Sequence, residues 1–185
     1  MCNEFSQEKT WKEYYELMQC EAFAIVSDPP ELPLASGSVR PSERAVIISA
    51  RSGGSALELL AWGWPPPGGK GLVINLRSEN RKDPAAMRGV APVDRFYEFR
   101  GEKAPKSKFE FTAFGNQPLG FAVIKKAGRF ALLTTEPNAD VAEIHPRMPV
   151  ILPTRDWRRF LTDPDWPMDL AAPSPAQTLK SLQVR

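Results

Sequence analysis

The stretch GFAVIKKAGRFALLTT, Gly120–Thr135, decides the fold class because two strand-like runs follow one another within it. The runs, Gly120–Lys126 and Phe130–Thr135, are short, apolar and rich in residue types that favour extended backbone. Six more runs of this kind occur, at Ala45–Arg51, Leu57–Trp64, Leu72–Arg77, Phe96–Arg100, Phe109–Phe114 and Met148–Leu152. The sequence has no internal repeat and no clean domain boundary, so nothing in it indicates a second domain. We therefore predict one α+β domain over residues 1–185, with a mostly antiparallel, barrel-like β-sheet flanked by short helices.

Helices are predicted around this sheet. The first covers Ser6–Ala22, with Ser6 as its N-cap and apolar side chains near one face. Three short helices are predicted at Asp83–Arg88, Asn138–His145 and Arg155–Thr162. The last of these has Thr154 as its predicted cap. The Pro-rich segment Ser27–Arg44 is predicted to be irregular, and the tail after Asp163 to be draped over the domain or frayed.

Composition limits the classes of protein to which the chain can belong. Its 185 residues, of which 42% are hydrophobic and 25% charged, suit one globular domain. No apolar run approaches the ~20 residues of a membrane helix, and no signal-peptide pattern is present, so we expect a cytoplasmic protein without membrane contact. Two Cys and one His are too few for a disulfide framework or a typical metal site. We expect no metal ligands, and we expect Cys20 to be a buried small hydrophobe.

The net charge of +2 conceals an asymmetry along the chain. Residues 1–69 hold nine acidic and five basic side chains, whereas residues 70–130 hold thirteen basic and six acidic ones. Such a block commonly marks a solvated face, but it is also the electrostatic footprint of a protein that binds phosphates.

Cys2 directly follows the initiator Met1. Removal of Met1 would give an amino-terminal Cys with both a free α-amine and a thiol, which titrate near ~8 and ~8.5. This 1,2-aminothiol can condense with an aldehyde through the amine and then close through sulfur to a five-membered thiazolidine. The alternative is that position 2 simply tolerates small residues.

Three other residues are candidates for the accompanying chemistry. His145 is the only imidazole and lies where a predicted helix meets a Pro-bounded strand, although a lone His is more often a bystander. Glu98 lies among aromatic residues, so it either faces water or is a buried carboxyl with a raised pKa that can shuttle protons. Asn75 interrupts an apolar run, where a buried amide needs partners, unless it is an edge residue bonded to a turn.

Five segments of the chain resemble, in order, the signature blocks of the SOS response-associated peptidase (SRAP) family. They are Met1–Phe5 (MCNEF), Trp62–Pro65 (WGWP), Ile74–Glu79 (INLRSE), Pro92–Phe99 (PVDRFYEF) and Ile144–Pro149 (IHPRMP). The resemblance extends over roughly residues 2–160. It implies an SRAP-like fold and a protein that senses abasic sites in single-stranded DNA and forms a stable thiazolidine crosslink with them.

The resemblance also implies roles for the four candidate residues. Cys2 would be the covalent nucleophile through amine and sulfur, and Asn75 would hold the α-amine and the sugar. Glu98 would be the acid/base for formation and reversal of the Schiff base, and His145 would assist opening of the sugar ring. No metal or organic cofactor is needed. The implied protein is an enzyme of the DNA damage and SOS responses, associated with the nucleoid, with weak lyase or peptidase activity as an accompaniment, and we expect a monomer.

DNA contacts are implied for four further residues. Arg77 would contact a phosphate beside the lesion, Trp64 and Pro41 would line the path of the strand, and Arg147 would contact DNA as well. The chain departs from the family pattern after Cys2, where Asn3-Glu4 replaces the usual Gly-Arg. An acidic side chain so close to the lesion should repel phosphates. The second Trp typical of the loop after Trp64 is also absent.

Two other classes of function are compatible with the same residues. In an amino-terminal-nucleophile thiol peptidase with autoprocessing of Met1, Cys2 would attack an amide with its own amine as base. In a catalytically degenerate module that only binds DNA, the candidate residues would no longer react.

Overall fold

The computed structural model describes residues 2–20, 23–26, 37–115 and 118–185. Within these ranges the chain forms thirteen strands, two α-helices and one 3-10 turn. The strands are β1 (Phe5–Gln7), β2 (Gly37–Val39), β3 (Arg44–Arg51), β4 (Gly54–Trp62), β5 (Asn75–Arg77), β6 (Arg88–Val93), β7 (Arg95–Arg100), β8 (Ser107–Ala113), β9 (Leu119–Lys126), β10 (Arg129–Thr135), β11 (Met148–Pro149), β12 (Ile151–Leu152) and β13 (Leu179–Gln183). The helices are α1 (Trp11–Cys20) and α2 (Thr154–Thr162), and the 3-10 turn is Ala85–Met87.

The strands form two sheets that are mostly antiparallel. The smaller sheet has the order β13-β8-β7-β1-β2, and the larger has the order β11-β10-β4-β3-β6-β9-β12. An additional pairing of β10 with β9 makes the larger sheet partly ring-like, but it is not a closed barrel. Strand β10 runs parallel to β4 and β5, and β5 is thereby placed beside the ring. The predicted α+β class with a mostly antiparallel, barrel-like sheet is confirmed.

The two faces of the larger sheet support two separate hydrophobic clusters. Along β3, Ile47 faces the first cluster, whereas Val46 and Ile48 face the second, as the two-residue period of a strand requires. The first cluster also contains residues of the smaller sheet and therefore lies between the two sheets. Its rings pack closely, with 4.9 Å between the centroids of Phe5 and Trp62. The second cluster is covered by residues of α1 and α2.

The first predicted helix starts too early. Ser6 is not an N-cap but the centre of β1, where it pairs with Ser38 on one side and Arg95 on the other. The helix starts four residues after β1, behind Thr10. Thr10 and Glu13 form a reciprocal pair, in which Thr10 N donates to Glu13 Oε2 at 2.7 Å and Glu13 N donates to Thr10 Oγ1 at 3.4 Å. Long-range pairing fixes β1, and this pairing overrides the helical pattern that follows.

Two of the predicted short helices are absent. The segment predicted at Asp83–Arg88 contains only the 3-10 turn, and the chain then enters β6, which sequence patterning missed. The segment predicted at Asn138–His145 forms a series of hydrogen-bonded turns. The side-chain amide of Asn138 donates to Ser174 O and Pro175 O, so the tail fixes this segment from a distance.

The other predictions need smaller changes. Helix α2 is present, but Thr154 is its first residue, and the capping position is held by Pro153 without a side-chain hydrogen bond. The tail is ordered at its end, because β13 pairs with β8. Much of the predicted irregular segment Ser27–Arg44 and the side chain of Cys20 lie outside the described residues. The described parts of the chain contain no helix long and apolar enough to span a membrane.

Candidate active site

Cys2 belongs to the hydrophobic cluster between the two sheets. Its position follows from β1, which pairs with β7 through Phe5 and Phe96, while Tyr97 N donates to Glu4 O at 3.0 Å. The side chain of Cys2 has no exposed surface, and its thiol donates to Glu4 O at 3.5 Å. Burial raises the pKa of the thiol well above its ordinary value, and the nearby carboxyl of Glu98 raises it further. The thiol is therefore protonated at neutral pH.

Glu98 faces the interior from β7. It is only 1% exposed and points to the same side as Phe96, whereas Tyr97 and Phe99 point to the other side. The alternative that Glu98 faces water is therefore wrong. Burial raises the pKa of Glu98 to about 7, because the surrounding apolar groups disfavour the charged form. A carboxyl with this pKa is present in both protonation states at neutral pH, as a proton shuttle requires.

Asn75 holds the backbone of Cys2. Strand β5 places Asn75 opposite Leu132 of β10, and the Asn75 side chain donates from Nδ2 to Cys2 O at 3.0 Å. The Oδ1 atom is buried, and no described residue donates a hydrogen bond to it. A buried amide oxygen in this position can accept a hydrogen bond from an N–H group of Cys2.

His145 ends the series of turns that begins at Asn138, with its N–H donating to Val141 O at 3.0 Å. Ring atom Nδ1 lies 2.9 Å from Arg147 O and 3.1 Å from Arg147 N. The Arg147 backbone thus engages Nδ1 in either tautomer, as donor to the carbonyl oxygen or as acceptor from the N–H, and fixes the orientation of the ring. Burial lowers the pKa of His145 from its ordinary value, and the charge of Lys106 contributes, so the ring is neutral at pH 7.

His145 and Glu98 line one cavity of about 580 Å³, which we call the active-site pocket. The other residues of its wall are Asn3, Phe99, Ala104, Pro105, Lys106 and Arg185. Three segments that are distant in sequence thus bring an acid, a base and the residue next to Cys2 to one cavity. Among the described residues there is no group of His, Cys, Asp and Glu that could hold a metal ion.

The four predicted DNA-contacting residues occupy different places. Arg77 is exposed at the end of β5, two residues after Asn75. Pro41 lies in the turn before β3 and lines a groove that adjoins the active-site pocket. Trp64 is half-buried and packs against the second hydrophobic cluster, whereas Cys2 belongs to the first.

The guanidinium of Arg147 is engaged within the protein. It donates two hydrogen bonds to the carboxylate of Glu79, at 2.5 and 3.0 Å, and one to Thr134 O at 2.6 Å. These bonds connect the segment after His145 to β10 and to the residues after β5. Arg147 therefore supports the position of His145.

Sequence reasoning missed two basic residues of the pocket wall. Lys106 belongs to the basic block of residues 70–130, so the charge asymmetry was a signal for it. Arg185 reaches the pocket only because β13 pairs with β8, and no local pattern predicts that pairing.

Comparisons with known proteins give one family. The model of the SOS response associated peptidase (SRAP) family matches residues 1–185. Abasic site processing protein YoqW of Bacillus subtilis (strain 168) is 30% identical over 180 residues, covering 80% of this chain and 78% of that protein. Abasic site processing protein YedK of Escherichia coli (strain K12) is 25% identical over 178 residues, covering 86% and 80% respectively.

Solved structures show the same fold. A crystal structure of a Bordetella bronchiseptica protein has a TM-score of 0.71 at 22% identity, with full coverage of both chains. A crystal structure of a Bacteroides thetaiotaomicron protein has a TM-score of 0.73 at 18% identity, covering 100% of this chain and 92% of the other. Since the family model matches the whole sequence and the relatives match most of it, the chain belongs to the SRAP family.

Proposed function

We propose that this protein processes abasic sites in single-stranded DNA by forming a thiazolidine crosslink through Cys2 after removal of Met1. The family and the names of its relatives support the processing of abasic sites. The observation that carries the finer proposal is the arrangement around Cys2. A thiol at position 2 is buried beside a carboxyl with a pKa of about 7, and an Asn amide holds its backbone.

The sugar ring of the abasic site must open first. Opening removes the proton from the C1′ hydroxyl, breaks the bond from C1′ to the ring oxygen, and delivers a proton to that oxygen. His145 suits the first transfer because its ring is neutral at pH 7 and can accept a proton. The product is the free aldehyde at C1′.

The Cys2 amine then attacks the aldehyde carbon. The resulting carbinolamine loses one water to give an imine, and the departing oxygen needs a proton. Glu98 can supply this proton, because its carboxyl group is protonated in about half of the protein molecules at pH 7. Asn75 Oδ1 can accept a hydrogen bond from the amine and orient its lone pair towards the aldehyde.

Ring closure by sulfur completes the crosslink. The raised pKa of the Cys2 thiol keeps sulfur protonated, so the amine reacts before the thiol does. When Sγ adds to C1′ of the protonated imine, the nitrogen keeps its proton and the thiol proton must leave. The carboxylate form of Glu98, which results from protonation of the departing water, can take it. The overall step forms one C–N bond and one C–S bond at C1′ and releases one water.

The DNA strand requires contacts outside the pocket. Arg77 is exposed close to Asn75 and is available to a phosphate, and Pro41 lies beside the pocket mouth. Trp64 is half-buried, and the part of it that stays exposed is available to the strand. The guanidinium of Arg147 is bound by Glu79 and Thr134, so in this proposal Arg147 holds the segment of His145 in place.

A crosslinking assay tests the proposal. Wild-type protein is incubated with an abasic single strand, with the same strand lacking the lesion, and with a peptide substrate, and the DNA reactions are separated on a denaturing gel after heating. We expect a heat-stable band with the abasic strand alone. Cys2→Ser retains the amine but closes the ring poorly through oxygen, so it should give only a borohydride-trappable product. A Cys2→Ser protein that crosslinks as durably as wild type, or peptide cleavage without crosslinking, would contradict the proposal.

A further inference from the structure

Two depressions meet beside the active site. The active-site pocket and the groove that contains Pro41 share Asn3, Phe99 and Arg185 in their walls. We call the shared region the pocket mouth. A strand whose abasic sugar occupies the pocket must pass here, so the charges at the mouth decide how its phosphates are received.

Glu4 does not give the pocket mouth a free negative charge. Its carboxylate accepts hydrogen bonds from Lys108 Nζ at 2.9 Å and Ser38 Oγ at 2.8 Å, and Arg40 lies 3.5 Å away. Burial alone would raise the pKa of Glu4, but these donors hold it below its ordinary value. The acid next to the nucleophile is therefore ionised and neutralised by partners on the smaller sheet and its flanking turn.

Lys108 is correspondingly engaged. Besides Glu4, its ammonium group lies 3.9 Å from the ring centroid of Tyr97. The charges of Glu4 and Lys108 cancel, and Arg40 is partly engaged by Glu4. The cations of the mouth that still have their charge available must come from elsewhere.

Arg185, in the pocket mouth itself, and Lys106, in the wall of the adjoining active-site pocket, are those cations. Both residues line the active-site pocket, and neither side chain takes part in the ion pairs found among the described residues. The guanidinium carbon of Arg185 lies 5.8 Å from the ring centroid of Phe99, which belongs to both walls. The backbone of Arg185 is fixed by hydrogen bonds with Lys108, from Lys108 N to Arg185 O at 3.0 Å and from Arg185 N to Lys108 O at 3.3 Å.

We propose that Arg185 binds a backbone phosphate of the DNA strand at the pocket mouth, with Lys106 as the second cation of this phosphate site. The inference rests on the proposed function for the identity of the ligand. If Arg185 binds phosphate, β13 helps to form the substrate site. Strand β13 pairs with β8, which pairs with β7, and Arg185 is thereby brought near Glu98 of β7. Arginine suits the task because its planar group can hold two phosphate oxygens at once.

Equilibrium binding tests the proposal with a single strand that contains a tetrahydrofuran residue, an unreactive analogue of the abasic sugar. Affinity is measured for wild type, Arg185→Ala and Arg185→Lys between about 50 and about 200 mM salt. One lost contact to single-stranded DNA should lower the slope of log affinity against log salt by ~0.7 and weaken binding about three- to ten-fold at low salt. Arg185→Lys should retain the wild-type slope, because the charge remains. A purely structural role of the arginine would not give that rescue.

Lys180→Ala is the matched control. Lys180 is a cation of β13 itself, but it lies over the ring of Phe114, with its Nζ 5.0 Å from the ring centroid, away from the pocket walls. We expect wild-type affinity and slope for this variant. A wild-type slope for Arg185→Ala, or equal losses for Arg185→Ala and Lys180→Ala, would overturn the phosphate site. If wild type binds the strand but does not crosslink to a true abasic site, the proposed chemistry is refuted, and the Arg185→Ala result still decides whether the phosphate site exists. Absence of binding by wild type would refute both.

Discussion

Glu98→Gln separates chemistry from binding. At pH 7 a carboxyl group with the ordinary pKa of 4.5 is protonated in only about 0.3% of molecules, whereas Glu98, with a pKa of about 7, is protonated in about half. Glutamine keeps the shape and polarity of the side chain but cannot exchange a proton. Since general acid–base catalysis contributes ~10²- to 10⁴-fold, we expect crosslink formation to slow by about 100-fold or more. Affinity for an intact single strand should change less than about two-fold.

The same substitution should stabilise the fold at high pH. The pKa of Glu98 is higher in the folded than in the unfolded protein, so its contribution to stability is fully present below pH 4.5. It is lost as the pH rises through about 7. The difference corresponds to about 3 kcal/mol at most. A neutral amide at this position avoids the loss, so Glu98→Gln should exceed wild type in free energy of unfolding at pH 8 but match it at pH 4.5.

Two measurements test both expectations. Time courses of crosslink formation and release give the rates, and urea denaturation at pH 4.5 and pH 8 gives the free energies. Glu110→Gln is a suitable control because Glu110 is a carboxylate on the neighbouring strand β8 whose partners, Tyr97 and Arg95, lie outside the pocket. Wild-type rates for Glu98→Gln, or a stability difference that does not change with pH, would refute the assignment of Glu98 as a buried proton shuttle.

Three further predictions concern other parts of the molecule. His145→Ala should slow crosslinking by roughly ten-fold or more without changing the affinity for intact strand, and an unchanged crosslinking rate in this variant would make the residue structural. The crosslinking rate of wild type should also fall as the pH drops through the lowered pKa of His145. Arg77→Ala should weaken single-strand binding and reduce the slope of log affinity against log salt by ~0.7, whereas Arg158→Ala, on an exposed part of α2, should leave both as in wild type. An unchanged slope for Arg77→Ala would show that the strand does not contact Arg77. Arg88→Met should lower the free energy of unfolding by at least about 3 kcal/mol in urea denaturation, because the buried guanidinium donates to four backbone carbonyls, those of Asp83, Phe160, Asp163 and Asp165. A loss below about 1 kcal/mol would contradict this expectation.

Local patterning misplaced helices, whereas residue chemistry singled out Glu98 and His145, which the structure brings to one cavity. The roles of Cys2, Glu98 and His145 stay predictions, drawn from the limited chemistry of each residue type and from the segments that contain them. The interior position of Glu98 was one of two alternatives, and the two-residue period of β7 decides it once Phe96 is known to be buried. The link from Asn75 to Cys2 spans 73 residues, so only the family resemblance could indicate it.

Errors occur where distant partners determine local structure. Ser6 is in a strand because residues of β2 and β7 pair with it. Strand β6 was missed, and its first residue, Arg88, was placed in a helix. Carbonyls that include those at the end of α2 hold the buried Arg88 guanidinium, and no local pattern indicates these partners. Arg185 reaches the active-site pocket through pairing of β13 with β8, which no pattern near residue 185 predicts.

Intact-mass spectrometry of the protein before and after reaction with an abasic oligonucleotide tests whether Cys2 forms the thiazolidine. We expect the reactive protein to lack Met1, and the product to have the combined mass of one protein and one oligonucleotide minus one water. The product should survive heating without reduction and be absent when Cys2 is replaced by Ser. Quantitative retention of Met1 in protein that still crosslinks would rule out this chemistry, because the Cys2 amine would then be an amide and no thiazolidine could form.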